Sequence, residues 1–342
     1  MSDETVADVA RTPATAGPPA TRPRWRGRHL WLLRRLVFGV LTLAAVSMVV
    51  FLATTLLPGD AARAVLGPTA SPAQVAALRG ELGLDEPVVT QYLHWTGRLI
   101  SLDLGRSLAA GEPVSTTVGW RAGNSLTLLA VSALVSVPLS VAVGAAAALR
   151  PRGVLDGIVN AVSVTLAGLP EFVTALVLVM LFSTTVLPVL PAVSLVEPGS
   201  TALAVPEVLV LPVATLTLAV VPYLARLVRA SLIEALDSDY VMMARLKGLS
   251  PRVVLLRHAL RNGLVPAIQG TALSLAYLLG GVVIVEYVFQ YPGLGSQLQT
   301  AVNQRDLPVI QAIVLLFAAC YVLFNLIADV LTAYFTPRLR TR

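Results

Sequence analysis

The chain has 342 residues, 56% of them hydrophobic and 13% charged, and its mean hydropathy is +0.78. Those values exclude a soluble globular domain and describe a polytopic membrane protein. The net charge of +6 does not mark a nucleic-acid binder, because the arginines flank apolar blocks, where they set topology. The lone Cys320 and three dispersed histidines exclude a disulfide framework and offer no metal cluster.

Residues 1–30 are rich in Ala, Thr, Pro and Arg without apolar periodicity and read as a disordered cytoplasmic tail. From Leu36 to Leu57 the chain runs 22 residues without a charge. That length crosses a hydrocarbon core about 30 Å thick and is too long for a cleaved signal segment, so 31–57 is the first expected span. Residues 58–120, with turn signals at Pro58-Gly59-Asp60, Ser71-Pro72 and Gly83-Leu84-Asp85-Glu86-Pro87, are expected to form a small extracytoplasmic domain.

Residues 121–335 are expected to hold five further spans near Ser125–Leu149, Val154–Phe182, Val208–Leu227, Leu264–Val285 and Val309–Val330. Arg150 and Arg152 mark a cytoplasmic turn, and 183–205 lacks Lys and Arg and belongs outside. Residues 336–342 form a basic cytoplasmic tail. In this six-span arrangement nineteen basic residues lie inside and six outside, which puts both termini in the cytoplasm. The expected fold class is therefore an all-α polytopic membrane protein of six transmembrane helices with a large first extracytoplasmic loop.

The longest charged passage between apolar blocks, 237–262, is written as a short helix, a turn and a second helix. Asp237 and Asp239 suit a helix N-terminus, and Arg245 and Lys247 suit its C-terminus. Gly248 supplies the left-handed stop, and Ser250-Pro251 opens the next helix. From composition alone this helix either docks on another protein or lies in the headgroups. Lys247, the only lysine, stands between Leu246 and Gly248, so the chain has no phosphate-binding P-loop and cannot hydrolyse ATP by itself.

Asp239, Tyr240, Val241, Ala244, Arg245, Lys247 and Gly248, with Leu256 to Asn262 and Pro266, resemble the cytoplasmic loop of ABC-transporter permeases in the branch that imports dipeptides, oligopeptides and nickel. The external segment is similar to the same branch at Leu102-Asp103-Leu104-Gly105 and Ser107, as is the pattern Glu286, Val288, Phe289, Pro292, Gly293, Leu294 and Gly295. The resemblance implies the type I importer permease fold, with 239–248 as the helix that couples to ATPase subunits, Val241 and Ala244 on its docking face. It places Glu286, Phe289, Pro292, Gly293 and Gly295 in an external gate or turn, where Glu286 either shapes the gate or serves as an interfacial anchor. Asp329 is expected to meet a cytoplasmic arginine, Glu171 to cap the helix after Pro170, and Ser274, Thr215 and Thr217 to line the pore or pack helices.

The resemblance further implies that ATP and magnesium are bound by partners and that this chain carries no cofactor. The implied partners are a homologous second permease, making a heterodimer, two ATPase subunits or domains, and an extracytoplasmic substrate-binding protein, all at a bacterial plasma membrane. Nickel chelates, glutathione or another small solute are alternative cargoes. An ion-coupled secondary transporter is the alternative of another class, and it would call for paired intramembrane acids or half-helices facing one site.

Overall fold

The computed structural model describes residues 26–56, 61–67, 69–81, 83–197 and 199–335. Among them the chain is helical, and its one β-like feature is an isolated bridge between Arg106 and Pro113. In order the helices are α1 (Arg26–Thr55), α2 (Ala61–Leu66), α3 (Pro72–Glu81), α4 (Val88–Ile100), α5 (Val114–Leu149), α6 (Val154–Ala167) and α7 (Glu171–Val179). A π turn at Met180–Thr184 continues α7; then come α8 (Glu207–Leu236), α9 (Asp239–Leu246), α10 (Pro251–Val253), α11 (Leu260–Gly263), α12 (Val265–Val288), α13 (Leu294–Gln304) and α14 (Leu307–Phe335). Five helices, α1, α5, α8, α12 and α14, are long and apolar enough to cross a membrane, and the α6–α7 pair makes a sixth if it counts as one span.

The core forms where α5, α7, α8 and α12 meet, around Leu128, Leu216, Leu224, Leu278, Val285 and Tyr291. On α5 the buried residues Ser132, Ser136, Ser140 and Gly144 recur at every fourth position, one face of a helix. A Cβ on Gly144 would stand 2.5 Å from the Ala225 carbonyl oxygen, so α5 and α8 touch backbone to backbone. Lipid supplies no hydrophobic push between spans, and such small-residue seams replace it with close packing. Thr215 and Ser274 are buried and bond to the carbonyls of Leu211 and Gly270, and Thr217 is buried beside a groove between α5 and α8.

By contrast α1 is largely exposed and is tied to its neighbours by polar links. Arg35 pairs with Asp329 of α14 at 2.8 Å, Gln311 Nε2 donates to Thr54 Oγ1 at 2.8 Å, and Ser47 shares a hydrogen bond with Tyr92. Phe51 meets the rings of Tyr92 and Trp95 at 5.4 and 5.5 Å, laying α4 against the C-terminal half of α1. The loop before α5 is anchored by Asp306, nearly inaccessible to solvent, which accepts the Ser107 hydroxyl and the backbone N–H groups of Leu108 (3.1 Å) and Ala109 (3.4 Å).

Several boundaries differ from the sequence reading. Helix α1 starts at Arg26, inside the tail expected over 1–30; residues 1–25 and 336–342 lie outside the described residues. Helix α5 begins at Val114, after Pro113, so the span expected from Ser125 carries eleven more residues and Arg121 is helical. The segment Val154–Phe182 is not a straight span: Gly168, Leu169 and Pro170 break it, and its halves cross at 105°. Proline removes a donor and biases the residue before it out of the helical region, which is what turns the chain here. Glu286, Tyr287 and Val288 belong to the last turn of α12 and not to the external turn.

Candidate functional site

Two places hold the residues singled out in the sequence, one at each end of the bundle. At one end, α8 stops at Leu236 and α9 runs Asp239–Leu246 with Ser238 before it. Gly248 has φ +76°, its N–H donates to Arg245 O (2.9 Å), and the Leu249 N–H donates to Ala244 O (3.4 Å). This paired closure caps the carbonyls of α9 and requires the left-handed conformation that glycine adopts without strain. After Pro251 the second helix is not continuous: α10 passes through a π turn at Val254–Ala259 into α11.

Here the structure corrects one expectation. Val241 and Ala244 do not lie on an outer face. Both are buried, packed with Leu232 and Ala235 of α8, Ala148 of α5, and Val254 and Ala259 of the π turn. Small side chains at i and i+3 let α9 sit close on the ends of α5 and α8. The opposite face is the exposed one, and it carries Met242, Met243 and Leu246, the last 75% accessible, with Tyr240 exposed at its edge. Asp239, Arg245 and Lys247 are exposed beside it and make no ion pair among the described residues. The knob is therefore a thin apolar plate with charged edges, fixed from behind by a packed cluster.

At the opposite end, Glu286 is fully buried in the last turn of α12. Its carboxylate accepts the Ser125 hydroxyl at 2.5 Å and the Gly295 N–H at 2.6 Å, and Ser125 Oγ accepts the Leu294 N–H at 2.8 Å. Asn124 Nδ2 donates to Pro292 O (3.2 Å), and the Tyr291 hydroxyl donates to Asn124 O (2.9 Å). Burial pushes the Tyr291 hydroxyl above its ordinary titration range, so it remains a donor. The Phe289 ring is buried and its carbonyl accepts the Ser194 N–H at 2.7 Å.

Both glycines are needed by this packing. A Cβ on Gly293 would overlap the Glu286 carboxyl, and one on Gly295 would stand 2.5 Å from Val283 Cα. The structure thus brings Glu286, Phe289, Pro292, Gly293 and Gly295 into one knot that staples the end of α12 to α5. The interfacial-anchor reading of Glu286 does not hold, because no part of it reaches solvent.

Three acids carry links of their own. Glu171 lies in the first turn of α7 and accepts the Tyr277 hydroxyl of α12. Asp306 and Asp156 were not singled out in the sequence, although each is a lone acid at the start of an apolar block. Asp156 is buried at the start of α6 and is gripped by Arg229 of α8, whose Nε and Nη2 reach its two oxygens, the second at 2.7 Å.

Residues 140–341 match the family described as binding-protein-dependent transport system inner membrane component, and 29–133 match the N-terminal part of such membrane components. A probable peptide ABC transporter permease protein of Sinorhizobium fredii is 36% identical over 316 residues, covering 91% of this chain and 99% of that protein. The glutathione transport system permease protein of Salmonella choleraesuis is 37% identical over 312 residues, covering 91% and 98%. Its counterpart in Escherichia coli strain K12 is 36% identical over the same length.

Proposed function

Because the chain belongs to the family of binding-protein-dependent transport system inner membrane components, the permeases of ABC importers, we propose that it imports short peptides by coupling its spans to partner ATPases. The cargo class rests on the relatives: one is named for peptides and others for glutathione, itself a tripeptide, so both names point to one chemistry. Cargo arrives from an extracytoplasmic binding protein, as the family description implies. The chain works beside a homologous second permease in the bacterial inner membrane, with its termini inside, the orientation that the arginine asymmetry favours.

The observation that carries this reading is the plate of α9. Its exposed Met242, Met243 and Leu246, with Tyr240 at their edge, form an apolar face on a knob whose back is locked into α5 and α8. An exposed apolar patch with a charged rim suits a protein groove. ATP and magnesium stay on the partner, whose closure pulls the plate and, through the packed cluster, the inner ends of α5 and α8. The Glu286 knot keeps the outer ends of α12 and α5 together, so the outer side opens by moving that unit as a body.

The test is affinity capture of the tagged chain from mild detergent, with uptake of labelled dipeptide and glutathione into proteoliposomes. The expected companions are an ATPase and a second permease. Met243→Glu with Leu246→Glu should release the ATPase and keep the permease. Capture of the chain alone, with uptake driven by an ion gradient, would overturn the proposal in favour of a secondary transporter.

A further inference from the structure

Helix α6 is poorly held. Of its fourteen residues only Asp156 and Ser163 are buried, while Val154, Leu155, Ile158, Val162 and Val164 are exposed. It has no counterpart of the serine and glycine seam by which α5 grips α8. Besides its packing along α8 and α5, a polar joint fixes its inner end. The Arg229 guanidinium meets both Asp156 oxygens in a fork, and the same carboxylate accepts the Arg152 N–H at 2.9 Å and Asn160 Nδ2 at 3.1 Å. Every oxygen of Asp156 is engaged, and the planar fork fixes orientation as well as distance.

The place of the joint matters as much as its geometry. Arg229 lies seven residues, about 10 Å, before the end of α8. The last two turns of α8 beyond it form, with α9 and the π turn, the cluster behind the exposed plate. On the other side of the joint, α6 leads to the 105° bend and α7, and α7 is linked to α12 through Glu171 and Tyr277. A path of packed and hydrogen-bonded contacts therefore runs from plate to α8 to α6 and on to α7, beside the direct packing of α7 on α8, and the Asp156–Arg229 fork is the polar link on it between α8 and α6.

We propose that the Asp156–Arg229 fork is a positioning joint that makes α6 move with α8, carrying displacement of the α9 plate into the bent α6–α7 pair. Without it α8 still moves when the plate is pulled, but α6 slips in the membrane and the stroke reaches the bend only through the packing of α7 on α8. This inference rests on the proposed import function and goes beyond it, because it assigns residues outside the loop and the outer knot.

The experiment uses the assembled complex in proteoliposomes, reading ATP hydrolysis and peptide uptake side by side. Asp156→Asn keeps shape and removes charge. It should retain at least half of the hydrolysis while uptake per ATP falls about tenfold, within the range that a single coupling contact commands. Asp156→Glu should recover much of the loss, and the exchange Asp156→Arg with Arg229→Asp should exceed either single variant.

A second measurement does not depend on activity. Spin labels at Val154 and Leu256, both exposed, in a Cys320→Ser background report the distance from α6 to the π turn packed behind the plate. That distance should stay constant on nucleotide binding in the parent and change in Asp156→Asn. Unchanged uptake per ATP in all variants, or loss of hydrolysis and uptake in equal proportion, would overturn the proposal, as would a parent distance that shifts as much as the variant's. Absence of ATP-dependent uptake in the parent would instead defeat the import function itself.

Discussion

Replacing Glu286 by Gln tests the outer knot with almost no change of shape. The carboxylate has two acceptor oxygens, taken by the Ser125 hydroxyl and the Gly295 N–H, at a site closed to water. Glutamine offers one. If that oxygen keeps Gly295, the new NH2 group faces Ser125 Oγ, which must accept from it as well as from the Leu294 N–H, and the serine proton loses its partner. One hydrogen bond to a charged acceptor is lost, a cost of about 1.5–3 kcal/mol.

Glu286→Ala loses both bonds and opens a cavity, so its cost rises to about 4–6 kcal/mol. Unfolding by sodium dodecyl sulfate in mixed micelles measures this, with stability expected to fall from parent to Gln to Ala. The structure adds an internal control. Gly293→Ala alone drives its methyl into the carboxyl, but in the Glu286→Ala background that space is vacant, so the double variant should be less destabilised than the sum of the singles. An alanine variant within about 0.5 kcal/mol of the parent, the range of ordinary surface changes, would refute the account of a buried and fully engaged carboxylate.

Two further outcomes follow from backbone geometry. Gly248→Val should cost about 1–2 kcal/mol at the left-handed position and lower ATP-driven uptake by loosening the end of α9, whereas Gly248→Asn, which tolerates that region, should keep most of it. Gly144→Leu should part α5 from α8 and sharply lower the amount of folded protein in the membrane, measured by fluorescence-detected size exclusion, with Gly144→Ala in between.

Sequence legibility followed the range of the interactions. The spans could be read because apolar length is a local property, and the turn at Gly248 because glycine at the end of a short helix has a local meaning. The inward turn of Val241 and Ala244 could not be read. Helix α9 is apolar on both faces, and only the arrival of Ala148, Val254 and Ala259 decides which face is covered. The links that organise the bundle join distant residues: Asp156 meets Arg229 across 73 positions, Gln311 meets Thr54 across 257, and Ser107 meets Asp306 across 199. No periodicity announces such pairs. Pro170 signalled a break in the third apolar block, yet the 105° angle depends on what α7 finds to pack against, which is α8 and α12.

The π turn at Val254–Ala259 bears on how the chain tolerates changes of length. Deleting one residue from an ordinary α-helix rotates everything beyond it by about 100°, which would swing α11 and the start of α12 off their seats. A π turn already carries slack in its winding, so removing a residue there, such as the exposed Leu256, tightens the turn to α-helical pitch and leaves the flanking faces close to their phase. A variant one residue shorter in this arm should thus present the same plate.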